Sequence, residues 1–322
     1  MNATPRAAPF VIRRRIGDRL GDGALYVLSV LASLAAAAAI FAIAYKVLNG
    51  ASGSFSRFGL GFVGHATWNP VTDVYGAGTL LFGTAVSSLM ALLLAAPIGI
   101  AIGLYLSLLA PRRVRGVIGP LVEMLAAIPS VVLGLWGILV LGPFLSAHLE
   151  PWLHSALGFI PLFGDPSPSG SGLFNAGLIL TIMVVPIIAS ISRDLFLAVP
   201  HELREGAVAL GATRWEMIRG VALSSTAPGL AAASILGMGR ALGEAIAVSQ
   251  VIGSATAIHA SLFGPADTLA ARVATQFQGA TTKLQTESLF YLAAILLVIG
   301  LLANLTAQGI IRRFGYRHVS AA

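Results

Sequence analysis

Cysteine is absent from this 322-residue chain, and charge is scarce, since Asp, Glu, Lys and Arg together make up only 10% of it. Without cysteine the chain can form no disulfide bond, thiolate metal site or cysteine nucleophile. Its only lysines, Lys46 and Lys283, do not follow a glycine, so the chain lacks the Walker A loop that binds nucleotide phosphates. Its six histidines show no metal-ligand spacing, and no Gly-x-Ser-x-Gly nucleophile motif occurs. We therefore expect neither an enzyme nor a metal site in this chain.

Apolar residues dominate what is present, since 57% of the chain is hydrophobic and its mean hydropathy is +0.87. A soluble domain carries about 25% charged residues, so this composition indicates an integral membrane protein. Six apolar runs reach the roughly 20 residues that a helix needs to cross a bilayer. These predicted spans are Ala24–Leu48, Gly76–Leu109, Ile118–Ser146, Leu173–Val199, Pro228–Gly253 and Ser288–Ile311. The prediction is an all-α membrane domain (24–311) between an N-terminal arm (1–23) and a tail (312–322). The first run is too long for a cleavable signal peptide.

Basic residues are distributed unevenly between the two sides of these predicted spans. One side collects 15 of the 20 basic residues. They are Arg6, Arg13, Arg14, Arg15, Arg19, Arg112, Arg113, Arg115, Arg193, Arg204, Arg214, Arg219, Arg312, Arg313 and Arg317. Cytoplasmic loops carry the excess of Lys and Arg, so we predict a multi-pass protein of the plasma (bacterial inner) membrane with both termini cytoplasmic. This orientation accounts for the net charge of +7 without a nucleic-acid partner.

The three predicted outer connections differ in composition. The first, 49–75, is rich in Gly, Ser and aromatic residues and contains Trp68-Asn69-Pro70. The second, 147–172, contains four prolines, which exclude a long helix but allow an ordered lid. The third, 254–287, is long for a simple connection, and we expect short helices within it.

Residues 200–224, hereafter the charged segment, are a polar stretch between two apolar runs. Their charged members are Glu202, Arg204, Glu205, Arg214, Glu216 and Arg219. Pro200 suits a helix start, and Gly211 suits the left-handed residue that ends a helix. Thr213 then stands at capping-box spacing from Glu216, which predicts a second helix leading back into the membrane. Such a loop is either a plain amphipathic interfacial element or a surface presented to a water-soluble partner.

The charged segment resembles the cytoplasmic loop of the permease subunits of binding-protein-dependent ABC importers. Their pattern is Glu-Ala-Ala, three residues, Gly, nine residues, and Ile-x-Leu-Pro. The matching residues are Glu205, Ala207, Gly211 and Leu223, and the departures are Gly206, Val221 and Ser224. The departures leave the helix–glycine–helix pattern intact. The resemblance implies the type I ABC importer permease fold, with this loop forming a coupling helix whose four matching residues contact an ATPase subunit.

Further motifs resemble the permeases of phosphate importers in particular. They are Glu123–Gly137 (EMLAAIPSVVLGLWG), Trp68-Asn69-Pro70 with Tyr75-Gly76 and Gly83-Thr84, and Gly239–Glu244 (GRALGE). This resemblance implies a lipid-embedded subunit that transports phosphate with a homologous permease, two ATPase subunits and an extracytoplasmic phosphate-binding protein. It implies no cofactor on this chain, because ATP and Mg²⁺ bind the ATPase. A permease for another oxyanion, such as sulfate or molybdate, and a secondary transporter without an ATPase stay open as alternatives.

Three ionisable residues are candidates for the translocation pathway. Arg240 and Glu244 lie four residues apart in the fifth predicted span, where a mid-bilayer charge costs roughly 2.5–3.5 kcal/mol. Either they form a structural ion pair, or Arg240 binds phosphate oxygens and Glu244 holds Arg240 when phosphate is absent. Glu123, near the start of the third predicted span and before Pro129, is the third candidate. Its alternative role is a helix-terminal carboxylate near Arg112–Arg115.

Overall fold

The computed structural model describes residues 16–315. Within that range the chain is helical apart from turns and two isolated β-bridges, Asn69↔Val74 and Gly253↔Ala266. The α-helices are α1 (Ile16–Gly50), α2 (Ser52–Phe58), α3 (Gly61–Gly64), α4 (Gly78–Leu104), α5 (Arg112–Ala126), α6 (Ser130–Trp136), α7 (Gly142–Phe144), α8 (Glu150–Leu157), α9 (Leu173–Leu197), α10 (His201–Ala209), α11 (Arg214–Met217), α12 (Ser224–Leu242), α13 (Ile246–Val251), α14 (Leu269–Gln276) and α15 (Lys283–Gly315). Four π-helical segments extend or join them, at Tyr105–Leu109, Gly137–Leu141, Leu145–Leu149 and Ile218–Leu223, and Pro161–Phe163 forms a 3₁₀ turn.

Six helical stretches within residues 16–315 are long and apolar enough to cross a membrane, which confirms the predicted all-α fold with six membrane helices. They are Gly23–Gly50, Gly78–Leu109, Ser130–Leu157, Leu173–Leu197, Arg214–Leu242 and Lys283–Ile310. The chain divides into two units, Met1–Asn49 with α1 and Gly50–Ala322 with the other five spans. In the predicted arm, residues 16–23 belong to α1 and residues 1–15 lie outside the described range, as do residues 316–322 of the predicted tail.

Helix α9 is the central helix of the second unit. In its most apolar window 67% of the residues are buried, against 28% or less in the other spans of that unit. It packs against α4, α5 and α12. Small residues on α4 allow this close approach, because a Cβ on Gly99 would lie 2.8 Å from Ile188 and one on Gly103 would lie 2.7 Å from Ser192. A helix that is apolar on all sides is expected to be buried, and two thirds of this window of α9 is.

The third span lies further along the chain than predicted. The prediction was Ile118–Ser146, whereas the membrane helix is Ser130–Leu157 and α5 is a separate helix. Pro129 causes the break, because it donates no backbone hydrogen bond and disfavours helical geometry in the residue before it. The predicted outer loop from 147 is therefore wrong up to Leu157. Pro151 does not interrupt this helix, in which it follows the π-helical segment Leu145–Leu149, and local π-helical geometry commonly compensates a proline in a membrane helix.

The fifth span is shifted in the opposite direction. The prediction was Pro228–Gly253, whereas the helix covers Arg214–Leu242 and the chain then breaks before α13. Pro228 is accommodated inside α12, which follows a π-helical segment. Local π-helical geometry and nearby hydroxyl groups commonly compensate a proline in a membrane helix. Glu244 lies in the break, so the prediction that it shares one continuous helix with Arg240 is wrong.

Residues 253–276, hereafter the α14 cap, pack against the start of α4. A Cβ on Gly83 would collide with the Asp267 carbonyl oxygen, and the Leu269 amide donates to Thr84 Oγ1 at 3.0 Å. Arg272 Nη2 lies 2.7 Å from Asp267 Oδ2, and both side chains are buried. Burial raises the pKa of Asp267 above its ordinary value, and the Arg272 charge opposes part of that rise. The expected short helix between 254 and 287 is thus α14, anchored by a buried ion pair.

Candidate functional site

The first helix of the charged segment, α10, ends in a glycine turn. Gly211 has φ +86°, a left-handed conformation that residues with a Cβ rarely adopt. Its amide donates to the Val208 carbonyl at 2.9 Å, and the Ala212 amide donates to the Ala207 carbonyl at 3.1 Å. These two bonds form a Schellman motif, which satisfies the last carbonyl groups of the helix. The predicted role of Gly211 as a helix terminator is confirmed.

The second helix, α11, begins with the predicted capping box. The Glu216 amide donates to Thr213 Oγ1 at 3.3 Å, and the Thr213 amide donates to Glu216 Oε2 at 2.8 Å. Helix α11 then continues through the π-helical segment Ile218–Leu223 into α12. The charged segment is therefore mechanically continuous with the fifth span. A π-helical segment inside a longer helix frequently marks a functional position.

The charged segment exposes apolar side chains as well as charge. The exposed large apolar residues are Leu203, Val208, Leu210 and Trp215, of which Leu210 is 91% exposed. Glu205 is also exposed, and its Oε1 lies 3.3 Å from His201 Nδ1. Exposed ion pairs contribute at most about 1 kcal/mol, so little free energy opposes binding of the Glu205 carboxylate by another protein. The charged segment thus exposes both apolar and charged side chains, the two kinds of group that a protein interaction surface combines.

Helix α10 meets the membrane helices around a cavity of about 430 Å³. The cavity is lined by Leu108, His201, Arg204, Glu205, Val208, Ala209 and Met217. Leu108 belongs to the π-helical end of the second span, and Met217 ends α11. A displacement of α10 would therefore act on the ends of two spans, the second and the fifth.

The four residues carried over from the importer pattern occupy different places. Glu205 lies on the exposed surface and Gly211 in the turn, as described above. Ala207 contributes a carbonyl oxygen to that turn. Leu223 packs against the buried cluster of Phe196, Ala222 and Leu230 at the start of α12. Glu205 is thus exposed to solvent, whereas Leu223 anchors the segment to the fifth span.

Arg240 and Glu244 lie on either side of the point where α12 ends. Arg240 Nη2 is 3.5 Å from Glu244 Oε2, which is longer than the 2.7–2.9 Å typical of a charge-assisted hydrogen bond. Glu244 is 5% exposed, and its Oε1 accepts a hydrogen bond from the Ala247 amide at 3.2 Å. Arg240 is half exposed, and among the side chains that the structure describes its guanidinium has no closer ion-pair partner. The carboxylate is held by the break, while the guanidinium retains donors for another anion.

Arg240 lines a cavity of about 670 Å³ between α9, α12 and α15. The lining residues are Ile187, Ala232, Ile235, Leu236, Gly239, Arg240, Gly300, Ala303, Asn304, Ala307 and Gln308. The wall is mostly apolar, and its polar side chains Arg240, Asn304 and Gln308 are exposed, so the cavity is open on one side. Sequence reasoning missed Asn304 and Gln308. Their signal is two amide side chains four residues apart in the last apolar span.

Glu123 is not brought together with Arg240. It lies on α5, where its Oε1 accepts a hydrogen bond from Arg193 Nη1 of α9 at 2.7 Å. The residues that line the Arg240 cavity do not include it. Among the described residues Glu123 forms its ion pair with Arg193 and not with a residue of Arg112–Arg115, and Arg115 Nη2 donates to the Ser107 carbonyl at 2.7 Å. The pair with Arg193 ties α5 to the helix that leads into the charged segment.

Comparison with known sequences identifies close relatives. Residues 95–316 match the family model described as binding-protein-dependent transport system inner membrane component. The phosphate transport system permease protein PstC of Mesorhizobium japonicum is 38% identical over 325 residues, covering 98% of this chain and 99% of the relative. The protein of the same name from Pasteurella multocida is 42% identical over 261 residues, covering 80% and 81%.

Comparison with solved structures supports the fold. A chain of a bacterial alginate ABC transporter, solved with an alginate pentasaccharide-bound periplasmic protein, aligns with a TM-score of 0.61 at 17% identity, covering 93% of this chain and 98% of that one. A chain of the inward-facing MetNI methionine ABC transporter aligns with a TM-score of 0.54 at 19% identity, covering 77% and 99%. At such identities these structures establish the importer-permease fold alone.

Proposed function

Because the chain belongs to the binding-protein-dependent transport system inner membrane component family, we propose that it is the permease subunit of an ATP-driven phosphate importer. One observation carries the choice of phosphate, namely the similarity over nearly the whole chain to relatives named PstC. The cargo of the structural neighbours does not bear on it, since their resemblance extends to the fold only.

The proposed complex contains a homologous permease, two ATPase subunits on the cytoplasmic side and an extracytoplasmic phosphate-binding protein. The charged segment is the proposed ATPase contact, supported by its exposed apolar residues and the exposed carboxylate of Glu205. This requires the segment and both termini to be cytoplasmic, in keeping with the excess of arginine on that side. No cofactor is assigned to this chain, because ATP and Mg²⁺ are expected on the ATPase.

The proposed coupling step is a movement of α10 on the ends of two spans. When the ATPase subunits close, α10 moves with the groove that holds it, and Leu108 and Met217 receive that movement. The α11–α12 continuity then carries it along the fifth span towards Arg240. The pair between Arg193 and Glu123 extends the same movement to α5.

In the proposed transport step Arg240 exchanges one anionic partner for another. The 3.5 Å separation from Glu244 leaves the guanidinium loosely held, so phosphate oxygens can take bidentate hydrogen bonds from it. Glu244 stays in place because it also accepts from the Ala247 amide, and it receives the guanidinium again after phosphate leaves. The empty pathway is then never left with an unpaired guanidinium, which is costly in a membrane.

Transport by the reconstituted complex tests the substrate. We expect proteoliposomes with both permeases, the ATPase and the binding protein to accumulate radiolabelled phosphate when ATP is supplied to the ATPase side. Excess sulfate or molybdate should not compete. Uptake of sulfate in preference to phosphate would reject phosphate, and uptake without the ATPase would reject an ABC importer.

Two substitutions test the assigned residues. Arg240→Gln should abolish phosphate uptake while the complex still assembles, and normal uptake would leave Arg240 a structural role. Glu205→Gln should weaken co-purification of the ATPase. Glu202→Gln is the matched control, because it removes the same charge from the same helix outside the importer pattern. Equal effects of Glu202 and Glu205 substitutions would contradict a specific contact.

A further inference from the structure

We propose that Asn304 and Gln308 form a second oxyanion-binding station in the cavity of Arg240, through which the substrate passes on its way along the membrane. This inference rests on the proposed function, since it requires an oxyanion substrate. Both amides line the same cavity as Arg240, and they are its only side chains, apart from that arginine, that can donate hydrogen bonds. Both amides are exposed on a membrane-spanning helix, and among the side chains that the structure describes neither has a hydrogen-bond partner, so their donors are free to take a ligand.

Helices α12 and α15 place Arg240, Asn304 and Gln308 at successive depths along the cavity. On α15 the two amides are four residues apart, so they lie on one face, about 6 Å apart along the axis. Helices α12 and α15 are parts of successive spans and therefore run in opposite directions. Arg240 lies in the last turn of α12, and its neighbours in the cavity wall extend back to Ala232. The cavity therefore extends from Arg240 towards the end of the fifth span that joins the charged segment.

Backbone geometry also favours convergence of these groups. The Cα–Cβ bonds of a helix tilt towards its N-terminus. On α12 that direction leads from Arg240 towards the charged segment, and on the antiparallel α15 it leads from Gln308 and Asn304 back towards Arg240. A substrate released by the guanidinium in the direction of the charged segment would therefore meet the amides.

The chemistry of the guanidinium and the two amides suits passage of an oxyanion from one group to the next rather than tight binding of it. Each amide has two N–H donors, which suit the oxygens of a tetrahedral oxyanion, and the surrounding wall is apolar, which strengthens polar contacts. An amide carries no charge, so it binds the oxyanion more weakly than a guanidinium does. An anion leaving Arg240 thus meets weaker sites, from which it can depart.

The competing role for two amides in a membrane helix is hydrogen bonding to another helix, such as one of the homologous permease. The two roles predict opposite rankings for substitutions of Asn304. Asn304→Asp adds negative charge with little change of shape, so it should repel an oxyanion more than Asn304→Leu does. For a contact between helices, Asp can still form hydrogen bonds and Leu cannot, so Leu should be the more damaging change.

The experiment measures phosphate uptake by the reconstituted complex for the unsubstituted chain and for Asn304→Leu, Asn304→Asp, Gln308→Leu and Thr306→Val. Thr306→Val is the matched control, because Thr306 lies on the same helix outside the cavity lining and donates to its own helix at Leu302. We expect each leucine variant to lower the maximal uptake rate about tenfold, since a hydrogen bond to a charged group contributes on the order of the free energy that gives a tenfold change. The half-saturating phosphate concentration should change little, and Asn304→Asp should be the slowest variant.

Several outcomes would overturn the inference. Leucine variants that transport like Thr306→Val would remove the amides from the pathway while leaving the proposed function intact. Loss of co-purification with the second permease, greater for Leu than for Asp, would assign the amides to a helix–helix contact. Failure of the unsubstituted complex to transport phosphate would instead reject the proposed function, whatever the variants do.

Discussion

The charged segment and the α14 cap both carry charge outside the apolar body of the membrane helices, but they hold it in different ways. In the α14 cap, Asp267 and Arg272 form a 2.7 Å ion pair with both side chains buried. In the charged segment, His201 and Glu205 approach only to 3.3 Å and both are largely exposed. A buried pair constrains the fold, because neither charge can lose its partner without a large penalty. An exposed pair contributes little, so its members remain available to another protein.

The same contrast holds for glycine and for helix caps. Gly83 has no room for a Cβ because the Asp267 carbonyl lies against it, whereas nothing lies within 4 Å of a Cβ added to Gly206. Thr268 caps α14 in a buried setting, whereas Thr213 caps α11 in an exposed one. The α14 cap is therefore held in place by close packing and buried bonds, whereas the charged segment leaves its side chains exposed.

Removal of one member of the buried pair should give the largest effect. Arg272→Met is expected to lower the free energy of unfolding by about 3–5 kcal/mol, because it leaves Asp267 buried without its partner. Burial already raises the pKa of Asp267, so the carboxyl can take up a proton and limit this loss. Glu205→Gln should change the free energy of unfolding by at most about 1 kcal/mol. Thermal unfolding of the detergent-solubilised full chain measures both.

A double substitution provides the control for this prediction. Asp267→Asn with Arg272→Met removes both charges, so it should recover part of the stability lost in Arg272→Met alone. If Arg272→Met and Glu205→Gln shift the unfolding midpoint equally, burial does not distinguish the two regions and the comparison fails.

Local chemistry explains which parts of this architecture could be predicted from the sequence. Hydropathy identified six spans, and the glycine turn at Gly211 and the capping box at Thr213 depend on residues at most five positions apart. The prolines did not reveal where the helices break, because Pro129 ends a helical run whereas Pro228 lies inside α12. The structure shows that Pro228 follows a π-helical segment, whereas Pro129 precedes the first residue of α6.

Long-range pairing could not be predicted from the sequence. Glu123 and Arg193 are 70 residues apart, and the structure joins them where α5 packs on α9. The same holds for the cavity wall, in which Arg240 of the fifth span meets Asn304 and Gln308 of the sixth. Periodicity within one helix reports which residues share a face, but it does not report which neighbouring helix that face meets.

One substitution, Gly→Ala, should have opposite signs in the two regions. Gly83→Ala is expected to lower stability by about 1–3 kcal/mol, because the added Cβ displaces the backbone at Asp267. Gly206→Ala should raise it by up to about 1 kcal/mol, since Gly206 lies inside α10 with open space around it. The same unfolding measurement applies. A destabilising Gly206→Ala would show that the space around Gly206 is not open, and a neutral Gly83→Ala would show that the α14 cap is not rigidly held.

The smallest differences should come from the two threonine caps. Thr268→Ala is expected to cost about 2 kcal/mol, because the Ala271 amide is buried and no water can replace the lost acceptor. Thr213→Ala should cost about 1 kcal/mol, since the start of α11 is exposed and water can hydrogen-bond to its free amides. The Thr→Ser variants retain the hydroxyl and serve as controls in both positions.

Because α11 continues into α12, Thr213→Ala should also weaken phosphate-stimulated ATP hydrolysis by the complex more than Thr213→Ser does. Equal costs for the two alanine variants would mean that exposure does not govern these caps, and full stimulation in Thr213→Ala would remove α11 from the proposed coupling route.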